Sequence, residues 1–352
     1  MPPMWKVRRE AWRIWNQLLD LPLRVVGRRI QHRRDRNNRL RITKGALAPG
    51  RDTAILLVFP TEGIRPSLLE GLEHLLKHGV VPTVVSNLPL SDGDRAALAR
   101  RSHLVIERPN HGYDFGGYRD AALELASRGA IGANLFVLND SIWFPLSPAS
   151  TLIEEARAHP ADLFGIYHNR RDRTPHRSHL QSYFYRFGPR ICGSPDLAEF
   201  WRDLVTYDSK DLAVRRCEMR LTNWFASRGY SVGALFGIED LYEAIASLAV
   251  PDRHALMDYL VTIGDKHAPY IRALMANGTA ENDARWRVAA HEGRLGQFPL
   301  ATHPAVLLEA MDFPVVKRDR QAMYRLQRSI AAEPRYAPHL SDTVRDEIAA
   351  RT

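Results

Sequence analysis

The sequence predicts an α/β protein with a mostly parallel, doubly wound sheet flanked by helices. Short apolar runs, typical of strands buried on both faces, alternate with helical stripes, and polar residues follow directly after several of the runs. The chain has 352 residues, of which 45% are apolar and 25% charged, which argues against disorder and against a multi-span membrane protein. Single helices between strands imply right-handed crossovers, and such sheets bind ligands at the carboxyl ends of their strands.

The individual elements follow from these patterns. Strands are predicted at Ala54–Phe59, Val80–Val85, His103–Glu107, Leu135–Leu138, Leu163–Tyr167 and Tyr183–Phe187. Helices are predicted at Leu68–Leu76, after Ser91 with Asp94 in the capping-box position, at Phe115–Arg128, and after the cap-and-proline pairs Ser147-Pro148 and Ser194-Pro195.

Three parts are expected along the chain. Residues 1–50 form a basic helical leader, and residues 51–250 carry the sheet. After about Pro251 the strand pattern fades and helical segments dominate, so residues 251–352 are predicted to form a mostly helical section that completes the active site.

The leader holds nearly all of the net charge. Residues 1–44 contain 13 lysine and arginine residues against 3 acidic ones, whereas the whole chain has a net charge of +9, so the body is close to neutral. Trp5, Trp12, Trp15 and Leu19 recur on one face of a helix that should end before Pro22. Tryptophan and arginine at helical spacing predict a helix lying on an anionic membrane surface. The alternative is an arm that packs on its own protein or on a second subunit; nucleic acid is disfavoured by the neutral body.

The expected location is cytoplasmic, at the inner face of the cell membrane. Two cysteines, Cys192 and Cys217, cannot make a disulfide framework. Asp20, Pro22 and Arg24 interrupt any apolar signal region, and no apolar run approaches the length of a membrane span.

The densest candidate site is the glycine-rich turn within residues 110–123. Gly112 and Gly116 permit close approach of a ligand to the backbone, and the helix that follows offers free amides to phosphate. Asp114 is a candidate to bind a ribose hydroxyl or a cation, with a helix cap as the alternative. Neither Walker-loop nor G-x-G-x-x-G spacing is present.

A second candidate follows the run Leu135–Leu138. Asn139, Asp140 and Ser141 come directly after it, so a carboxylate stands at the open end of a central strand. Asp140 suits Mg²⁺ or Mn²⁺ bridging a diphosphate, because hard cations take one or two carboxylates plus phosphate oxygens. The alternative is a turn formed by the asparagine and the serine.

Two further segments carry polar groups. His179, Gln181 and Tyr183 stand at the entry to an aromatic strand and are predicted to contact sugar hydroxyls, although a structural histidine fits His179 equally. Glu218 is expected at the start of an amphipathic helix, where it could serve as a general base or simply complement the helix dipole.

Together these motifs resemble the rhamnan synthesis protein F family of bacterial glycosyltransferase-like proteins. The resemblance rests on motifs in one order along the chain: V-S-N at Val85–Asn87, R-x-N-x-G-Y-D-F-G at Arg108–Gly116, L-N-D-S at Leu138–Ser141 with Pro145, D-x-x-G-I at Asp162–Ile166, H-x-Q-S-Y-F at His179–Phe184, E-x-x-L-T at Glu218–Thr222, T-H at Thr302-His303, and F-P-x-x-K at Phe313–Lys317.

The resemblance implies a GT-A-like fold and transfer of a sugar from a nucleoside diphosphate. The predicted contacts to the donor are Asn87, Asn110, Gly112, Asp114, Gly116, Asn139 and Lys317. Asp140 would contact the metal, His303 would contact the metal or the diphosphate, and Glu218 would deprotonate the acceptor. Asn139 and Ser141 replace the flanking acids of the D-x-D pattern.

The expected function is therefore transfer of a sugar, such as rhamnose or another deoxyhexose, to a cell-surface polysaccharide or glycan. The acceptor is a glycan or a lipid-linked glycan, and a divalent cation is the expected cofactor. A sugar-phosphate transferase and a non-catalytic glycan-binding scaffold are the alternatives. The further partners considered are a second copy of the chain and a synthase complex.

Overall fold

The computed structural model describes residues 27–170, 174–296 and 298–350. The tryptophan-bearing helix predicted near the start of the leader lies outside the described residues. Within the described residues, no helix has the length and apolar character needed to cross a bilayer.

One large sheet organises the described chain. Its strands run in the order β1-β4-β3-β2-β5-β9-β7-β10, with β8 paired to β7. Strands β2 to β5 are parallel to one another and β10 is parallel to β7, whereas β1 and β9 run antiparallel to their neighbours. This mostly parallel sheet flanked by helices confirms the predicted fold class. The strands are β1 Arg41–Lys44, β2 Asp52–Val58, β3 Val80–Ser86, β4 Leu104–Glu107, β5 Asn134–Asn139, β6 Ile142–Trp143, β7 Leu163–Asn169, β8 His179–Leu180, β9 Phe184–Phe187, β10 Val232–Phe236 and β11 Val316–Lys317.

Central burial explains the continuous apolar runs. All seven residues of β2 are buried, because helices cover both faces of the sheet. Successive side chains point to opposite faces, so Leu56 enters one hydrophobic cluster and Leu57 enters the other. The helices are α1 over residues 27–37, α2 Pro66–Lys77, α3 Asp92–Ala99, α4 Tyr113–Ser127, α5 Leu152–Ala158, α6 Pro189–Cys192, α7 Pro195–Asp203, α8 Lys210–Ala213, α9 Met219–Ser227, α10 Ile238–Ala246, α11 Val250–Thr262, α12 Ala268–Ala276, α13 Asp283–His291, α14 Ala322–Ala331 and α15 Asp342–Ala349.

One predicted helix start is wrong, and another lies within a longer helical stretch. The helix expected after Ser147-Pro148 begins at Leu152 instead, because the Ser147 carbonyl accepts from the Ser150 amide and closes a separate turn. Glu218 directly precedes α9, as predicted, but the chain before it is already helical. A π-helical segment, Val214–Glu218, joins α8 to α9, and Glu218 has helical backbone angles within this continuous stretch.

The second half of the leader packs on the body. Strand β1 pairs antiparallel with β4, with Arg41 opposite Glu107 and Lys44 opposite Leu104. Helix α1 packs against the body through hydrogen bonds. Arg119 donates to Asp35, and the Thr206 amide donates to Gln31. For residues 27–44, therefore, the structure shows the arm packed on its own protein.

A two-stranded sheet joins the C-terminal section to the central sheet. β11 pairs antiparallel with β6, which places Val316 opposite Trp143 and Lys317 opposite Ile142. Because β6 follows the end of β5 by only two residues, this pairing carries Lys317 to the carboxyl edge of the sheet.

Candidate functional site

A cavity of about 720 Å³ opens at the carboxyl edge of the sheet. The topology explains its position, since the residues that follow β2 and β5, and those that precede the antiparallel β9, all meet at that edge. Seven residues predicted from the sequence line it. They are Asp114, Asp140, His179, Gln181, Tyr183, Glu218 and Lys317.

Glu218 is held by a backbone amide in a buried position. The amide of Ser182 donates to Oε1 of Glu218 at 2.6 Å, and the side chain is 7% exposed. Burial raises the pKa of Glu218, while His179, Ser182 and Lys317 act in the opposite direction. Glu218 is the last residue of the π segment and lines the cavity, and π-helical turns occur frequently at functional sites.

His179 stands beside this carboxylate. Its Nδ1 lies 2.7 Å from the carbonyl oxygen of Arg177, which makes Nδ1 the donor and leaves Nε2 to accept in the neutral ring. Gln181 follows on the same edge, where its backbone amide donates to the carbonyl oxygen of Tyr167. Both residues line the cavity.

A chain of hydrogen bonds connects Asp114 to Lys317. Nδ2 of Asn139 donates to Asp114 at 2.8 Å, and Oδ1 of Asn139 accepts from the Ser141 amide at 3.1 Å. Nζ of Lys317 then donates to Ser141 Oγ at 2.8 Å. Burial raises the pKa of Asp114 to about 6; the charge of Lys317 opposes this rise, and the negative charges of Asp140 and Glu218 add to it.

Asp140 ties the end of β5 to the end of β2. Its Oδ2 accepts from the Phe59 amide at 2.9 Å. Burial raises the pKa of Asp140, and the hydrogen bond from Phe59 and the charges of Arg318 and Arg65 oppose the rise. A bound cation would favour the ionised carboxylate in the same way. Among the described residues, no cluster of three or more histidine, cysteine or acidic side chains could hold a metal alone.

Lys317 and Tyr183 lie together at the cavity wall. Nζ of Lys317 is 5.5 Å from the centre of the Tyr183 ring. The Tyr183 hydroxyl is buried and has no hydrogen-bond partner within the described chain. An unsatisfied hydroxyl at the wall of a cavity is a ready contact for a ligand oxygen.

The remaining predicted residues do not line this cavity. Asn87 accepts from Nη1 of Arg108 at 2.6 Å, within a buried network. Gly112 donates its amide to Asp208. Asn110 is exposed on the loop between them.

Gly116 has a packing reason to be glycine. A Cβ there would lie 1.9 Å from the His111 carbonyl oxygen, so the helix and the preceding loop could not approach as they do.

His303 lies in the C-terminal helical section. Its ring packs edge-on against Tyr259, and its Nδ1 accepts from the Ala305 amide at 3.2 Å. Burial lowers the pKa of His303 to about 4. The structure does not bring His303 to the cavity.

Sequence reasoning missed several lining residues. Arg65, Arg318 and Arg320 add positive charge, and the aromatic rings of Phe59 and Tyr113 are 41% and 45% exposed there. Two of these residues could have been predicted. Phe59 follows strand β2 directly and Tyr113 follows Gly112, and both positions lie at the edge of the sheet where ligands bind. The arginines lie on loops with no local pattern.

Tyr113 has an unusual backbone. Its φ is +50°, directly after Gly112 at +76°, and a bulky residue with positive φ is an outlier. Such strain clusters at functional sites, where surrounding structure holds it in place.

The fold and cavity define an α/β protein with a ligand-sized polar site at the carboxyl edge of its sheet. The family model described as rhamnan synthesis protein F matches residues 82–278. The uncharacterized protein y4gN of Sinorhizobium fredii (strain NBRC 101917 / NGR234) is 32% identical over 347 residues, covering 97% of this chain and 91% of that protein. The chain belongs to the rhamnan synthesis protein F family.

Two solved structures show a more distant similarity. The mannosyltransferase PcManGT from Pyrobaculum calidifontis, in complex with GDP-Man and Mn²⁺, is 15% identical, with 88% of each chain covered and a TM-score of 0.34. The mannosyltransferase Ktr4p from S. cerevisiae is 9% identical over 50% of this chain and 65% of that chain, with a TM-score of 0.25.

Proposed function

We propose that the cavity binds a nucleoside diphosphate sugar and that Glu218 activates a hydroxyl of a glycan acceptor. A deoxyhexose such as rhamnose is the proposed sugar. One observation carries the proposal: three carboxylates and a lysine from four separated segments line one cavity. These are Asp114, Asp140, Glu218 and Lys317.

The acceptor side of the reaction needs a base. As the acceptor oxygen attacks the anomeric carbon, its proton passes to the Glu218 carboxylate, and the bond between that carbon and the diphosphate oxygen breaks. A carboxylate whose pKa is raised by burial is a stronger base than an exposed one. The amide of Ser182 holds Oε1 and so sets the orientation of the other oxygen.

The leaving side of the reaction needs positive charge. The departing diphosphate gains negative charge, and Lys317 lines the same cavity as the arginines at 65, 318 and 320. Fixed cations in a partly buried site stabilise this charge more than water does.

Asp140 fits the divalent cation expected from the sequence. Mg²⁺ and Mn²⁺ bind through one or two carboxylates plus phosphate oxygens, and Asp140 and Asp114 both face the cavity. When bound, the cation would supply Lewis-acid stabilisation of the diphosphate. His179, Gln181 and Tyr183 are the proposed contacts to sugar hydroxyls.

The test compares Glu218→Gln with the exposed Glu239→Gln as a matched control. We expect Glu218→Gln to retain donor binding, measured by thermal shift against a panel of nucleotide sugars, and to lose about 10²-fold or more of transfer. Glu239→Gln should behave as wild type. Retained transfer by Glu218→Gln would reject its role as base, and release of a nucleoside monophosphate would identify a sugar-phosphate transferase instead. Failure of wild type to bind any donor would favour the scaffold.

A further inference from the structure

Helix α1 has two unlike faces. One face is fixed to the body by hydrogen bonds from polar side chains. These are Gln31 accepting from the amide and hydroxyl of Thr206, Asp35 accepting two hydrogen bonds from Arg119 at 2.8 and 2.9 Å, Asn38 donating to Asp120 at 2.8 Å, and Arg34 donating to Asp208. The helix is therefore held in one orientation on the protein.

The opposite face is rich in arginine. Arg29, Arg33 and Arg36 follow one another at steps of four and three, so their side chains share the side away from the body. Arg28 lies beside them and Arg39 just beyond the helix. All five are exposed, and none has an acidic partner within the described chain.

An apolar residue flanks this arginine face. Ile30 is 46% exposed, and with Arg33, Pro109 and His111 it borders a shallow cavity of about 380 Å³. An exposed isoleucine beside a row of arginines is typical of a helix that binds a membrane surface, because the arginines contact anionic headgroups and the apolar side chain contacts the acyl chains.

We propose that the arginine face of α1 binds the anionic phospholipid surface of a membrane. Charge complementarity carries the proposal, because these cations have no counterpart among the described residues and each basic residue near an anionic leaflet is attracted to it. Exposed arginines on one side of a single helix suit a lipid surface. An extended nucleic acid would require positive charge across the body, whose net charge is close to zero outside residues 1–44.

Hydrogen bonds connect the body-facing side of α1 to the cavity wall. Arg34 pairs with Asp208, and Asp208 accepts from the Gly112 amide at 2.7 Å. The next residue, Tyr113, lines the 720 Å³ cavity. On the proposed function, a lipid-linked acceptor held at the membrane would thus approach the cavity from the Tyr113 side.

The experiment measures co-sedimentation of the full chain with vesicles of phosphatidylcholine, with and without phosphatidylglycerol. The variant is Arg29→Gln/Arg33→Gln/Arg36→Gln, and the matched control is Arg272→Gln/Arg287→Gln/Arg325→Gln, three exposed arginines on other helices. We expect wild type and control to bind only the phosphatidylglycerol vesicles, and the α1 variant to bind them about tenfold or more weakly. Added salt should release the bound protein.

Equal vesicle binding by the α1 variant and wild type would overturn the proposal, and so would equal binding to uncharged vesicles. Loss of affinity for a short RNA with vesicle binding intact would assign the face to nucleic acid. Donor binding is measured on the same proteins and should not change in the variant. Absence of donor binding in wild type would defeat the proposed function while leaving the vesicle result to stand on its own.

Discussion

Nζ of Lys317 donates to Oγ of Ser141 at 2.8 Å, although 176 positions separate the two residues in the chain. The pairing of β11 with β6 makes this contact, and it places a cation from the C-terminal section at the end of a central strand. The helical section therefore contributes directly to the cavity formed by the sheet.

Replacing Lys317 with glutamine should weaken turnover and shift its pH dependence. We expect kcat/KM for the donor to fall about 10²-fold, because a fixed cation near the diphosphate is lost. The charge of Lys317 lowers the pKa of Asp114, which burial raises to about 6. Without that charge the pKa of Asp114 rises further, so the acid limb of the pH–rate profile should move to higher pH. Lys266→Gln, on the exposed surface, is the control; an unchanged acid limb in Lys317→Gln would contradict the coupling.

Asp140→Asn removes the negative charge of the proposed metal ligand while keeping its hydrogen bond to the Phe59 amide. The asparagine carbonyl can still accept from the Phe59 amide, so the stability of the fold should change little. We expect the thermal shift caused by Mn²⁺ with a nucleoside diphosphate to disappear. Asp319→Asn, another acid at the cavity, should keep that shift. A wild-type enzyme indifferent to EDTA would count against the cation.

Gly116→Ala should destabilise the protein through packing. The new Cβ would meet the His111 carbonyl oxygen at 1.9 Å, and relief requires backbone movement. We expect a loss of about 1–3 kcal/mol in the free energy of unfolding, measured by urea denaturation. Gly93→Ala in α3 is the control, because the nearest atom to its added Cβ is Oγ of Ser91, 4.0 Å away. Equal stability of the two variants would show that the loop before α4 is not held as described.

Tyr113→Gly tests whether the strained tyrosine serves binding. Glycine removes the positive-φ strain of about 1–3 kcal/mol, but it also adds about 0.5–1 kcal/mol of unfolded-state entropy. The net stability should therefore stay equal or rise. The KM for donor or acceptor should increase about tenfold, since an aromatic ring at the cavity is lost. Tyr113→Phe keeps the ring and should retain a wild-type KM; if Tyr113→Gly also retains it, the ring makes no contact with substrate.

Much of the sheet could be predicted, because its signals are local. The buried run of β2, the serine cap of α3 and the glycine-rich entry to α4 each follow from neighbouring residues. Sequence order also placed Asp140 correctly at a strand end. The helix start near Ser147 failed because a cap signal can equally close a turn, and the chain's tertiary course decides between them.

The α/β class, the family and the carboxylates that line the cavity could be predicted from the sequence, because strand periodicity and motif order are local properties of the chain. Which of the predicted polar groups lie together depends on the tertiary structure. It joined Lys317 to Ser141, left His303 outside the cavity and fixed Asn87 to Arg108. The structure also distinguishes two sides of helix α1. One side contacts the body of the protein, and the other carries the exposed arginines. Such contacts join residues that are far apart in the sequence. They depend on how distant segments pack together, and a local sequence pattern does not show this.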